Sequence, residues 1–357
     1  MTTEVNDVDE VNDGAAPATG TTAASLLVHG VPRSRGQAVT AFLATWASQI
    51  GITLAFVAVW LTFIILAPDT FLDSRIYVSF AQTTPYFAIV ALTLTMVIVS
   101  GDIDLSFPSI MGLSMVGFIG VERGLNGSVG LAVLAALAVG AAAGLFNGVF
   151  VTVVGIPALV VTIGTQFLFR GLTLVLVNGR SYALVEARDS VAYRLLVGRF
   201  LGIPMQFVWC VLIAAGTWLL LYRHRLGQNA HVVGDNRHAA ELMGIPIRRT
   251  RIILFVLTGM AAALAGVMNS LQVANFYPSI GTGYLLPALA AVFVGGTSVF
   301  GGRGTVWGTF LGAFLIGGID AGIIAVGLTD YYTELIYGAI ILVAISIHAV
   351  LQRRFER

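Results

Sequence analysis

Long apolar stretches recur along this chain, and few folds can accept them. A helix needs roughly 20 consecutive apolar residues to cross the hydrocarbon of a bilayer. Runs of this kind lie at 41–67, 77–99, 129–154, 156–177, 206–222, 252–274, 306–328 and 332–351, with shorter ones at 105–120 and 285–300. The alternative, a large soluble core, fits poorly, because only 10% of the 357 residues are charged. A globular protein carries about 25%. Within a bilayer every backbone polar group must be paired internally, which leaves helices as the economical choice for runs of this length. The expected fold is therefore an all-α integral membrane protein with about ten transmembrane helices, some of them short or broken. The run at 105–120 contains Pro108, so it and 285–300 need not cross fully.

Residues 1–36 are polar and begin with Glu4, Asp7, Asp9, Glu10 and Asp13. They lack the basic start and apolar centre of a signal peptide and read as a disordered acidic tail. Residues 37–357 read as the transmembrane domain, with one polar loop at 223–251. Arginines orient it. Ten spans leave both ends on one face, together with Arg33, Arg35, the six arginines of 223–251, Arg303, Arg353, Arg354 and Arg357. The other face holds Arg75, Arg123, Arg180, Arg188, Arg194 and Arg199. The richer face is expected in the cytoplasm, so both termini are placed there.

All 19 basic residues are arginine. A phosphate-binding Walker loop needs a lysine that reaches the phosphates, and this chain has none to offer. If ATP drives its work, another polypeptide hydrolyses it. No nucleophile–base pair suggests catalysis, and His29, His224, His231, His238 and His348 show no metal-ligand spacing. No metal, no cofactor in this chain and no nucleic-acid partner are expected. The lone Cys210 excludes an intrachain disulfide.

Four features stand out from the apolar background. In "VSGDIDLSFPSIMG", Asp102 and Asp104 lie between two apolar runs, flanked by Gly101 and Pro108. Acids at membrane depth are costly and usually functional. The alternatives are a plain turn with Asp104 capping the next helix, or a broken helix lining a cavity. Arg170 could snorkel outward, pair with Asp320, or meet a solute. Asn147, Thr162, Thr165, Asn269 and Gln272 also fall inside runs, where amides and hydroxyls tie helices together or meet a polyhydroxylated solute. Glycine is abundant, at 41 residues, and spaced four apart at 140/144, 304/308/312 and 318/322, which favours close helix packing.

The loop "VVGDNRHAAELMGIPIRRTR" holds one more feature. Asp235 or Asn236 can cap a short helix whose Ala239, Leu242 and Met243 share a face, and Gly244 and Pro246 end it. Two turns of helix do not hold together alone in water, so this one needs a surface to dock on.

Four stretches resemble the membrane-spanning permease of ribose-type ABC sugar importers, in the group that also contains the branched-chain amino-acid permeases. They are "SGDIDLSFPSIMGLS", "NGVFVTVVGIPALVVTIGTQFLFRGL", "VVGDNRHAAELMGIPIRRTRI" and "LAAVFVGGTSVFGGRGTVWGTFLGAFLIG", spread over roughly 45–352. The resemblance implies an inverted repeat of spans two to five and seven to ten. It also implies a pair of permeases in the lipid bilayer around a central pathway, two ATP-binding subunits that carry ATP and magnesium, and an extracytoplasmic solute-binding protein. Coupling to the ATPase would fall on Asn236, Ala239, Ala240, Glu241, Leu242 and Gly244. Candidates for the solute pathway are Asp102, Asp104, Asn147, Thr162, Thr165, Arg170, Asn269, Gln272 and Asp320. Two positions depart from the family's pattern: Asp102 stands where a second glycine is usual, and Asp320 where an amide is commoner. The implied function is import of a monosaccharide (ribose-, xylose- or galactose-like) or polyol. Alternatives are a branched-chain amino-acid or nucleoside permease, or an ion-coupled carrier using Asp102, Asp104 and Asp320 as a relay.

Overall fold

A computed structural model describes residues 35–124, 127–325, 327 and 331–355. The predicted acidic tail lies outside the described residues as far as position 34. Two units divide at Thr45; the first contributes the opening turns of one helix, and the core belongs to the second, 46–357.

Among the described residues fifteen α-helices follow in order: α1 (Arg35–Leu66), α2 (Pro68–Phe71), α3 (Ser74–Thr83), α4 (Pro85–Val99), α5 (Phe107–Glu122), α6 (Val129–Val149), α7 (Ala158–Leu176), α8 (Val191–Val197), α9 (Met205–Tyr222), α10 (Arg225–Asp235), α11 (Arg237–Leu242), α12 (Ile247–Val273), α13 (Leu285–Val294), α14 (Val306–Ala325) and α15 (Tyr331–Phe355). Each predicted apolar run is helical over most of its length. Among the described residues five stretches are long and apolar enough to cross a bilayer: Val129–Val154, Ala158–Leu176, Met205–Tyr222, Ile247–Val273 and Val306–Ile323. A sixth is added if α3 and α4 count as one broken span. The molecule is thus a helical, multi-pass membrane protein.

The run at 77–99, expected as one helix, is two. α3 and α4 meet at 51°, and Pro85 opens α4. Proline has no N–H for the continuing helix ladder and its ring clashes with the preceding turn, so the axis breaks there. The two short runs are short helices, α5 with 16 residues and α13 with 10.

α12 and α4 form the spine. All fifteen residues of α4 are buried, and α12 packs on α4, α5 and α6. The predicted glycine spacing explains the closest of these contacts. A side chain at Gly140 or Gly144 of α6 would run into the backbone of Gly259 or Phe255 on α12. On α14, Gly308 and Gly312 are pressed against the backbone of Gly295 and Ala291 in the same way. With no hydrophobic force between helices in lipid, such backbone proximity is what dispersion and packing require.

The segment 178–204, between α7 and α9, is an ordered cap rather than loose chain. Its β1 (Tyr182–Ala183) pairs antiparallel with β4 (Asn275–Phe276), which follows α12. Between them in sequence, β2 (Arg199–Phe200) and β3 (Ile203–Pro204) form a tight hairpin after α8. The strands are too short to leave a periodic trace in the sequence.

Candidate functional site

α11 is the short helix expected from the polar loop. The Asn236 side chain accepts a hydrogen bond from the Ala239 N–H at 2.9 Å, the geometry of an N-cap. At the other end Gly244 takes φ +71°, and Pro246 precedes α12. A left-handed residue just after a helix is ordinarily glycine, because it has no Cβ to clash.

The helix presents its end outward. Leu242 is 77% exposed and Met243 70%, and Asn236, Glu241 and Gly244 are exposed beside them. Ala239 is half-buried. Ala240 corrects the expectation: it is fully buried against its own chain, so it sets the seat of α11 and offers no contact surface.

α10, which sequence reading missed, carries α11. Leu226, Gly227, Ala230 and Val233 are its buried stripe, a 3.6-residue pattern present in the sequence but diluted by arginine, glutamine and histidine. His224 caps it, its Nδ1 accepting from the Leu226 N–H at 3.1 Å.

Three segments distant in sequence meet where α10 ends. Gly302 N–H donates to the Val99 carbonyl at 2.9 Å, joining the α13–α14 loop to the last residue of α4. His231 of α10 hydrogen bonds the Gly302 carbonyl at 2.8 Å. Gly234 of α10 lies directly on the Val99 carbonyl, and Gly301 lies against Gly101, where a Cβ would sit 3.0 Å from the Gly101 Cα. Three of the four resembling stretches therefore converge on one backbone junction. Their glycines are needed because the backbones touch.

Asp102 sits at this junction, buried. Its carboxylate accepts a bidentate pair from Arg251 of α12, Nε to Oδ2 at 2.5 Å and Nη2 to Oδ1 at 2.5 Å. Arg237, the first residue of α11, approaches the same carboxylate at 3.6 Å. Burial, and then the like charge of Arg251, pull the Arg237 guanidinium below its ordinary value, and Asp102 opposes them. A guanidinium stays charged at neutral pH regardless. Neither arginine was singled out from the sequence, where they are two of six in a basic loop.

Asp104 is fully buried, three residues before α5 begins at Phe107. One carboxylate oxygen accepts from the Ser106 N–H at 2.8 Å and from its hydroxyl at 2.6 Å. The other oxygen is buried without a hydrogen-bond partner. Asn147 of α6 donates to the same Ser106 hydroxyl at 2.7 Å. Thr162 of α7 donates to the Ile103 carbonyl at 3.3 Å, and Thr165 to the Thr162 carbonyl at 3.4 Å. Asp102, Asp104, Asn147 and Thr162 thus cluster about the α4–α5 turn, whereas the Thr165 bond stays within its own helix α7.

Asn269 and Gln272 lie near the far end of α12. At about 1.5 Å per residue, Gln272 is roughly 30 Å along the axis from Arg251, the thickness of a bilayer's hydrocarbon. Asn269 donates to the Tyr284 hydroxyl at 2.9 Å, and Gln206 of α9 donates to Gln272 at 2.6 Å. The Tyr86 hydroxyl and the Gln206 carbonyl oxygen are buried here without partners. Tyr86, Gln206 and Tyr284 belong to this second polar cluster, and their aromatic or helix-end positions gave no signal in the sequence.

Arg170 and Asp320 join neither cluster. Arg170 is exposed on α7 among Phe167, Leu168 and Leu172, and no ion pair links it to Asp320. Asp320 accepts from the Thr333 hydroxyl at 3.5 Å. The snorkelling alternative for Arg170 fits this placement; the pairing alternative does not.

Residues 76–345 match the family described as branched-chain amino acid transport system / permease component. The ribose import permease protein RbsC of Escherichia coli K12 is 35% identical over 288 residues, covering 79% of this chain and 88% of that protein. The autoinducer 2 import system permease protein LsrD of Salmonella typhimurium LT2 is 32% identical over 271 residues, covering 75% and 81%. Its counterpart in Yersinia enterocolitica is 35% identical over 263 residues, covering 72% and 78%. No solved structure gives a significant match.

Proposed function

Because this chain belongs to that permease family, we propose that it is the membrane-spanning subunit of an ATP-driven importer for a small hydroxyl-rich solute, a monosaccharide or polyol. Two copies enclose the pathway in the plasma membrane. Each has about ten spans in an inverted repeat and both termini in the cytoplasm. An ATP-binding subunit, holding ATP and magnesium, docks on α11 through Asn236, Ala239, Glu241, Leu242, Met243 and Gly244. A binding protein delivers solute on the other side. The hydroxyls, amides and tyrosines near Asn269 and Gln272 are the groups a sugar entering there would meet.

The observation that carries this reading is α11 itself. It is a capped helix of six residues with an exposed apolar tip, rooted by α10 and Ala240 in its own chain. A lysine-free chain cannot hydrolyse ATP through a Walker loop, so the tip calls for a partner that can. The ion-carrier alternative loses a relay acid, since Asp102 is held by two arginines. The amino-acid alternative loses the same group as an ammonium partner.

Affinity purification of a tagged chain from its host in mild detergent tests the docking. A stoichiometric subunit with a Walker lysine should co-purify, and should be lost when residues 236–244 are scrambled. Recovery of no ATPase, with none crosslinked in intact membranes, would remove the importer reading. Uptake of labelled ribose, xylose and galactose by cells with and without the chain then ranks the solutes.

A further inference from the structure

The Asp102 carboxylate is the point where the short helix α11 touches the transmembrane body through charge. Its side chain is 3% exposed and that of Arg251 is 8%, whereas that of Arg237 is 52% exposed. Arg251 stands in the second turn of α12, the buried spine. Arg237 stands at the head of α11. The linker between the two helices, 243–246, turns at the left-handed Gly244, and the Ile245 N–H donates back to the Ala240 carbonyl at 3.0 Å. A cavity of about 450 Å³ opens beside them, lined by Asp102, Arg237, Arg251, Thr152 and the start of α7. That space separates the head of α11 from the start of α7.

The segment that begins at Asp102 reaches inward at once. Gly101, at φ +83°, turns the chain so that Asp102 faces α11 and α12. Ile103 is bound by Thr162 of α7, Ser106 by Asn147 of α6, and the Ser109 hydroxyl donates to the Gln166 carbonyl of α7 at 2.7 Å. Eight residues therefore join the head of α11 on one side to two long helices on the other.

We propose that Asp102 is a positioning residue that latches α11 to the α4–α5 turn, so that movement of the docked helix is delivered to α6 and α7 through residues 102–109. The proposal rests on the docking role given above to α11. Arg251 fixes the carboxylate on the spine, and Arg237 is the half-exposed arm that docking can engage or release. A buried pair of this kind adds little net stability compared with an apolar replacement, but it defines geometry, since an unpaired charge cannot remain there. The neighbouring glycine junction carries α10; the carboxylate carries α11.

Hydrogen exchange on the full chain in lipid nanodiscs tests the latch without any partner. Asp102→Asn keeps the shape and removes the charge, and Arg237→Gln removes only the arm. In both, the amides of Ala240, Met243 and Ile245 should exchange about fivefold or more faster than in wild type, a fold-change within the range seen for coupled contacts. Asp102→Glu should restore most of the protection. The second arm uses the complex with its ATPase. ATP and vanadate should alter exchange in the 103–109 and 147–166 peptides of wild type and leave those peptides unchanged in Asp102→Asn. Unaltered protection of α11 in both charge-removing variants overturns the proposal, as does a full nucleotide response of α6 and α7 in Asp102→Asn. If the ATPase does not bind wild type at all, the importer reading fails, and the first arm still decides the latch.

Discussion

Alanine at Gly234 and alanine at Gly216 are the same substitution in two helices, and the structure assigns them opposite signs. Alanine favours a helix over glycine by up to about 1 kcal/mol, so propensity alone stabilises both. At Gly216 of α9 nothing lies within 4 Å of an added Cβ, and that gain stands. At Gly234 the Cβ would fall on the Val99 carbonyl oxygen, 2.7 Å from the Gly302 nitrogen and 2.9 Å from the Val99 carbonyl carbon. All of these atoms are backbone, so no side chain can swing aside. Displacing α10 costs about 1–3 kcal/mol as overpacking. It also strains the 2.9 Å bond between Gly302 and Val99, and a buried group left unpaired costs about 1–3 kcal/mol more. Subtracting the propensity gain leaves a net loss of roughly 1–5 kcal/mol. Cys210 provides the assay. It is the single cysteine and is fully buried, so a thiol-reactive fluorophore reports its exposure on heating the purified protein. Unfolding in detergent is commonly irreversible, so apparent midpoints are compared at one heating rate. Gly234→Ala should melt below wild type and Gly216→Ala at or above it. A Gly234→Ala protein that melts with wild type would refute the backbone junction.

Other expectations follow from single contacts. Asn236→Ala removes the α11 cap, should cost that helix about 1 kcal/mol, and should weaken capture of the ATPase by up to about tenfold in a pull-down titration. Leu242→Glu with Met243→Glu alters two exposed residues; the Cys210 melting midpoint should stay unchanged while ATPase capture is lost. Tyr284→Phe leaves the buried Asn269 amide without its acceptor, which should lower stability by about 1–3 kcal/mol in the same melting assay. Gln206→Leu likewise removes the donor to Gln272, and a fall in binding-protein-dependent uptake without loss of folded protein would place that cluster on the solute's route.

The helices of the membrane body were legible because each is specified locally. Apolar runs of sufficient length, Pro108 at the head of α5, and Asn236, Gly244 and Pro246 around α11 act over a few residues, and all are where the sequence puts them. α10 was harder, because its buried stripe of Leu226, Ala230 and Val233 is interleaved with polar side chains. The break at Pro85 follows Gln82, Thr83 and Thr84, polar residues that interrupt the apolar run 77–99 just before the proline. The cap at 178–204 was invisible, since two-residue strands owe their form to partners such as Asn275 and Phe276.

What the sequence determined by itself is the class of molecule: length and apolarity require a bilayer, the absence of lysine leaves no residue for a Walker loop in this chain, and a capped short helix needs a surface to dock on. These are properties of composition and of neighbours along the chain. The tertiary structure decided what the polar residues do. Asp102 and Asp104 are two positions apart and look alike in sequence. One is held by Arg251, 149 residues away, and the other by Ser106, beside Asn147. Arg170 and Asp320 could have formed a pair by charge alone, yet the helices that bear them do not bring them together. Charge and burial set the cost of an isolated ion, but only the packing of distant helices determines which counter-ion is within reach.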